Sequence, residues 1–154
     1  ELALRGDIIV ASEDAAFCHS EATLSAFTFM GGIQRVAERV GRTRAIQWAM
    51  TAERVGAREA LAAGLINEVV ALASLQAAAR SWVDRLKDSA TLSHAAHKKL
   101  LRAWSNGGVA AVDSLMPEMA GVILHSEDAQ FCLPKAIDAQ QNNKPRPRFR
   151  FKGR

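Results

Sequence analysis

Residues 51–70 read TAERVGAREALAAGLINEVV. Ala57, Ala60 and Leu61 sit among strong helix formers, so 57–63 reads as a short helix, and Gly64 follows as its stop. Leu65-Ile66-Asn67-Glu68-Val69-Val70 then carries the β-branched content of an extended segment. Immediately upstream, 43–51 has helical periodicity, with Ile46, Ala49 and Met50 on one side and Trp48 free to pack against a neighbouring element. Before that, Gly31-Gly32 opens IQRVAERVG, where Ile33, Val36 and Val40 recur at helical spacing and Gly41 is the stop.

The first residues, ELALRGDIIVAS, place Leu2 and Leu4 before Arg5-Gly6 and the run Ile8-Ile9-Val10. That pattern is the last turn of a helix, a break and a buried strand. An acidic turn, Ser12-Glu13-Asp14, leads to Ala16-Phe17-Cys18 as a second short strand. From Ser74 onward the pattern is helical. Leu75, Ala79, Trp82 or Val83, and Leu86 form one apolar stripe, and Leu92, Ala96, Leu100, Ala103 and Trp104 form another. Asn106-Gly107-Gly108 breaks that run, and helices over 109–124 and 127–140 follow, with Pro117 and Pro134 as kink positions. Two or three strands offer too little sheet for so many amphipathic helices, because each apolar face needs a partner layer. The expectation is that further strands come from elsewhere, this chain being the C-terminal portion of a longer polypeptide or one piece of an interrupted one.

At 154 residues with 49% hydrophobic and 23% charged, the chain is able to bury a core, which excludes disorder and collagen. No uninterrupted apolar run approaches the roughly 18 residues of a spanning helix, so the expectation is a water-soluble protein with no membrane partner. Cys18 and Cys132 lie far apart with no CxxC spacing, which fits a reduced, cytoplasmic protein. The net charge of +4 is local: six of the 20 basic residues lie in the tail 144–154, KPRPRFRFKGR, leaving 14 basic against 16 acidic residues in the body. Nucleic acid is therefore not an expected partner. The tail admits two readings, a solvated terminus whose Phe149 and Phe151 dock on a subunit, or a phosphate contact.

Two carboxylates draw attention. Glu1 and Glu21 flank the first strand, which turns the chain so that both can converge on one point, although spacing alone makes them ordinary surface acids. His19 lies between Cys18 and Ser20, but neighbours on an extended segment point to opposite faces, so a pocket-lining histidine is favoured over a nucleophile's base. His94 and His97 share a helical face with Lys98 and Lys99, without a third ligand at metal spacing. Trp48, Trp82 and Trp104 lie on apolar stripes as core or subunit contacts, and Gly31-Gly32 has no phosphate-loop frame around it.

In context these residues gain meaning. Glu1-Leu2-Ala3-Leu4, Gly6-Asp7-Ile8-Ile9-Val10-Ala11, Ala16-Phe17, Glu21, Gly31-Gly32, Gln34-Arg35, Val40-Gly41 and Ala45 resemble ordered blocks of the crotonase superfamily, the enoyl-CoA hydratases and isomerases. Residues 51–70 are similar to that family's T-G-x-x-x-x-A-x-E-A-x-x-x-G-L-V-x-x-V-V segment. The resemblance implies an α/β fold, a crotonase-like ββα spiral core of which 1–70 is the C-terminal part. It implies a helical trimerisation region over 71–143, then the basic tail 144–154. It implies homotrimers or hexamers built as dimers of trimers, an acyl-CoA thioester substrate of fatty-acid type, and no cofactor, since the substrate carries its own coenzyme A.

By the same resemblance Glu1 matches the glutamate after a glycine-rich turn and Glu21 the glutamate of F-G-x-P-E, the pair that hydratases use as acid and base. Glu1 would hold and deprotonate the water that attacks Cβ, and Glu21 would supply the proton to Cα. The implied function is enoyl-CoA hydratase, with the double-bond isomerase and a non-catalytic acyl-CoA binder as alternatives. The two backbone N–H groups that stabilise the thioester oxyanion in this family belong to segments preceding Glu1. Two departures stand out. F-G-x-P-E reads Phe17-Cys18-His19-Ser20-Glu21, which removes a permissive glycine and a φ-fixing proline. I-P-G-A-G-G reads Phe27-Thr28-Phe29-Met30-Gly31-Gly32, bulky groups expected to reshape or narrow the acyl pocket.

Overall fold

The computed structural model describes residues Glu1–Arg154. Its strands are β1 (Val10–Ser12), β2 (Ala16–Phe17), β3 (Val55–Gly56) and β4 (Glu68–Val70). Its helices are α1 (Gly32–Val40), α2 (Arg42–Thr51), α3 (Ala57–Ala62), α4 (Leu75–Lys87), α5 (Thr91–Leu124) and α6 (Glu127–Gln141), with 3₁₀ turns at Ala3–Arg5, Glu21–Leu24 and Leu72–Ser74. Two compact units, Glu1–Trp82 and Val83–Arg154, divide within α4.

In the first unit β1 runs parallel to β4, with Val10, Ala11 and Ser12 opposite Glu68, Val69 and Val70. A parallel pair needs a long crossover, and α1, α2 and α3 supply it. β2 pairs antiparallel with β3, Ala16 opposite Gly56 and Phe17 opposite Val55. The bend after β1 is therefore not a hairpin: Ser12-Glu13-Asp14 hands the chain from one two-stranded sheet to the other. Nor does the first strand begin at Ile8. The Ile9 N–H donates to Asn67 Oδ1 at 2.8 Å and the Asn67 N–H donates back to the Ile9 carbonyl at 2.9 Å, so a side chain caps the ladder before Val10 starts it.

The core gathers Leu4, Ile9 and Ala11 with Val36, Ala45, Trp48, Val55, Ala57, Ala60, Leu65 and Ile66. α1 buries Val36 and half-buries Ile33 and Val40, as their spacing implies. α2 is turned differently from the expected stripe. Ala45 and Trp48 face inward at 1% and 2% exposure, while Ile46 and Met50 remain 47% and 73% exposed. An indole gains more from burial than a methionine does, and Gly41, at φ 82°, sets the corner between the two helices that brings Trp48 inward.

In the second unit α5 is interrupted where the sequence breaks, at Gly107 (φ −154°, ψ 18°) and Gly108 (φ 66°, ψ −160°). An 18-residue window of α5 reaches a mean hydropathy of 1.3, which by length and composition alone suffices to cross a bilayer, although Asp113 and Glu118 interrupt its apolar residues. The kink splits α5 into 91–106 and 109–124, each shorter than the roughly 20 residues of a spanning helix. Leu101, Trp104, Val109 and Val122 stay more than half exposed.

The end of the basic tail is tied to α6, while all six of its basic residues stay exposed. Asp128, in the first turn of α6, accepts the Lys152 N–H on Oδ1 at 2.8 Å and the Gly153 N–H on Oδ2 at 2.7 Å, and its own N–H donates to the Arg154 carbonyl at 3.2 Å. Phe149 packs edge-on to Phe131 and Phe151, and Glu127 pairs with Lys152 and Arg154. The Lys152 amide, joined by those of Gly153 and Arg154 and opposed by burial, holds the Asp128 carboxyl below its ordinary range. The tail's aromatics thus seat on this chain's own α6. Ser126 caps that helix, accepting the Ala129 N–H at 3.1 Å.

Candidate active site

Glu1 sits at the start of α1. Its Oε1 accepts the Gly32 N–H at 2.7 Å and the Met30 N–H at 3.0 Å. Those are donors of a helix N-terminus, which favours a carboxylate electrostatically as well. The loop before the helix is wound to present them. Gly31 has φ 81°, a conformation costly for other residues, and Thr28 Oγ1 accepts the Ile33 N–H at 3.2 Å. Arg35 closes the loop by donating Nη1 to the Gly31 carbonyl at 2.9 Å and the Met30 carbonyl at 3.2 Å. Gly32 is glycine for lack of room: a Cβ there would lie 2.9 Å from Glu1 Oε1 and 3.0 Å from His19 Cε1.

The carboxylate of Glu1 and the ring of His19 therefore press on the same point of the backbone. On its other side His19 reaches Glu21, with Nδ1 3.8 Å from Oε2. The His19 side chain is only 11% exposed and that of Glu21 is 26% exposed. Glu21 begins the Glu21–Leu24 turn, and its Oε2 is buried with no hydrogen-bond partner. A desolvated carboxylate oxygen left unpaired is costly, and such atoms gather where a ligand or a proton is handled.

A cavity of about 210 Å³ opens beside this cluster, lined among others by Glu1, His19, Phe17, Trp48, Glu53 and Val55. Glu21 is not on its wall and joins the site through His19. Cys18 lines the cavity too, but its thiol donates to the Ala52 carbonyl at 3.3 Å rather than to His19. Phe27, Phe29 and Met30 do not narrow this cavity. They are exposed, and the two phenylalanine rings pack on each other with centroids 4.5 Å apart.

The sequence reading named Glu1 and Glu21, and the fold links both to His19. It gave His19 a place in a pocket wall, which is where the ring lies. It missed Glu53, which lines the cavity along with Glu1 and accepts Gln47 Nε2 at 3.3 Å, and Arg35, whose guanidinium ties down the loop that holds Glu1. For Glu53 no local pattern distinguishes an inward acid from a solvated one. For Arg35 no local pattern was available either: a helix start leaves N–H groups rather than carbonyls to be satisfied, so a basic side chain one turn on reads as solvated.

A family profile described as enoyl-CoA hydratase/isomerase matches residues 1–116. The chain is 37% identical over 135 residues to the carnitinyl-CoA dehydratase of Proteus mirabilis (strain HI4320), covering 84% of this chain and 51% of that protein. A carnitinyl-CoA dehydratase of Salmonella typhi is 36% identical over 133 residues with the same coverage of each chain. Among solved structures, the chain resembles an enoyl-CoA hydratase subunit I from Geobacillus kaustophilus HTA426 with a TM-score of 0.85 at 27% identity, over 99% of this chain and 57% of that one. An enoyl-CoA hydratase from Mycobacterium marinum superimposes with a TM-score of 0.83 at 25% identity, over 99% and 58%. The chain thus spans about half the length of the curated relatives it matches, 51% of the first. The loop-held glutamate, the crossover joining β1 to β4 and the matched profile agree, and this chain belongs to the enoyl-CoA hydratase/isomerase family, with the α/β architecture of a partial crotonase fold.

Proposed function

We propose that this protein catalyses reversible hydration of a 2-enoyl-CoA thioester, with Glu1 and Glu21 as paired acid and base. Glu1 takes a proton from the water whose oxygen attacks Cβ, and Glu21 delivers a proton to Cα; in dehydration the same transfers run backwards. The observation that carries the reading is the Glu1–Gly32–His19–Glu21 cluster. One carboxylate is held by two backbone N–H groups, and the other keeps a buried oxygen free of partners. The carnitinyl-CoA dehydratases among the relatives support loss and gain of water as the reaction type. No cofactor is required, because coenzyme A arrives on the substrate and proton transfer at carbon needs only the carboxylates and an oxyanion site. We place the activity in the cytoplasm, in a trimer or a dimer of trimers whose contacts cover the exposed apolar residues of the second unit, Trp104, Val109 and Val122 among them.

The test is Glu1→Gln in the whole assembled protein, assayed on crotonyl-CoA for hydration, on carnitinyl-CoA for dehydration and on a 3-enoyl-CoA for double-bond migration. Loss of hydration by about 10² to 10⁴-fold is expected for removal of a general base. The alternative is the isomerase, favoured by the unpaired oxygen of Glu21, since one carboxylate suffices to shuttle a proton between Cα and Cγ. In that case hydration is absent from the wild type and migration survives the substitution. A protein that binds an acyl-CoA to saturation and turns over none of the three substrates is a non-catalytic member of the family.

A further inference from the structure

Something must fix the Glu21 carboxylate if it is to hand a proton to one carbon and not to solvent. The backbone before it is not stiffened by proline, because Ser20 stands there and its side chain makes no capping bond to the turn. The Thr23 and Ala26 amides bond to the Ser20 and Glu21 carbonyls at 3.1 and 3.0 Å, which orders the main chain and leaves the carboxylate alone. Oε2 has no hydrogen-bond partner, and His19 Nδ1 stands 3.8 Å away. The ring is not free to leave, since it is 11% exposed and its Cε1 is wedged against Gly32, 3.0 Å from where a Cβ would stand.

We infer that His19 is a positioning residue for Glu21: its Nδ1–H donates to Oε2 and holds that carboxylate in the geometry of proton transfer. Closing 3.8 Å to a charge-assisted hydrogen bond of about 2.8 Å takes a shift of roughly 1 Å, which rotation of the Glu21 side chain provides. The groups facing the ring are acidic or neutral: Glu21 on one side, Glu1 across Gly32, and Glu53 and Cys18 on the cavity wall. Arg35 is engaged by the Gly31 and Met30 carbonyls. This inference rests on the proposed role of Glu21 at Cα.

The experiment compares kcat and KM on crotonyl-CoA for the whole protein and for His19→Asn and His19→Phe, with a thermal melt of each. Asparagine keeps a neutral N–H near the place of Nδ1, and phenylalanine keeps the ring's shape alone. His19→Asn should keep kcat within about threefold of wild type, while His19→Phe should lower kcat about 10-fold, the scale of one hydrogen bond to a charged group, with KM within about threefold. A His19→Phe protein that melts like wild type and shares its kcat overturns the inference. So does a rise in KM with kcat unchanged, which marks a wall of the binding site. If His19→Phe fails to fold, His19→Leu decides by the same comparison, because a wild-type kcat there is equally fatal. A wild type that turns over no CoA thioester defeats the proposed function instead, whereas turnover indifferent to His19 defeats only this assignment.

Discussion

Glu1→Ala should destabilise the first unit by about 2 kcal/mol, independently of any chemistry the carboxylate performs. Glu1 Oε1 accepts two backbone amides, Gly32 at 2.7 Å and Met30 at 3.0 Å. Hydrogen bonds to a charged acceptor contribute about 1.5 to 3 kcal/mol each when water cannot replace them. The Gly32 bond is partly buried and is given the lower figure, about 1.5 kcal/mol. The Met30 bond is exposed, and water recovers roughly half of it, leaving about 0.7 kcal/mol. Glu1→Gln keeps an accepting oxygen and loses only the charge, both toward the amides and toward the N-terminus of α1, so it should cost about 1 kcal/mol. Urea unfolding followed by Trp48 fluorescence reads both variants, because that indole is 2% exposed in the core of the same unit. A midpoint for Glu1→Ala equal to wild type would show that the carboxylate does not hold the loop, and the geometry that places it beside His19 would lose its support.

Leu65→Ala should cost more, about 4 kcal/mol and near the top of the usual 2 to 5, because Leu65 is 2% exposed and borders a cavity that the truncation enlarges; the same urea series measures it. Gly32→Ala should lower turnover on crotonyl-CoA by about 10-fold or more at unchanged coenzyme A affinity, since the new methyl stands within 3.0 Å of both Glu1 and His19 and must displace one of them. Asp128→Asn should free the tail, read as faster tryptic cleavage at Arg150 and Lys152. Because the Asp128 carboxyl is held below its ordinary range of about 3.9, its stabilisation is full above that value and is lost as pH falls through the lower, folded one. The Lys152 and Gly153 amide resonances should therefore hold their positions at pH 5 and move only on further acidification, and a transition near pH 6 would refute the assignment.

Local chemistry was legible in the sequence where one residue type admits one role. Gly41 and Gly64 stop helices, Gly107-Gly108 breaks α5, and the Val36 spacing turns α1 inward. Pairing was not legible, because which strands meet depends on contacts far apart in the chain. β1 finds β4 across the three crossover helices, and β3 consists of Val55 and Gly56 alone, too short to show alternation. The face of α2 was misjudged for a similar reason: Ile46 and Met50 satisfy the helical pattern as well as Ala45 and Trp48 do, and only the corner at Gly41 decides between them. The tail's composition announced charge and aromatics but not their acceptor, since Asp128 looks like any acid in the first turn of a helix.

The candidate site and the fold constrain each other at a single atom, the α-carbon of Gly32. Its N–H is the shorter of the two bonds holding Glu1, its missing side chain is the space that Glu1 and His19 share, and it is the first residue of α1, whose Val36 is anchored in the core one turn on. A Cβ at this helix start would push Glu1 or His19 aside, so glycine here keeps the two side chains in place although the backbone angle would tolerate any residue. Gly31 before it is required for the opposite reason, a positive φ, and it turns the chain so that the Met30 and Gly32 amides face the same carboxylate. Consecutive glycines thus do separate work, one shaping the loop and the other making room. The carboxylate they position is fixed by the main chain of a packed helix, whereas Glu21 is fixed by one neighbouring ring.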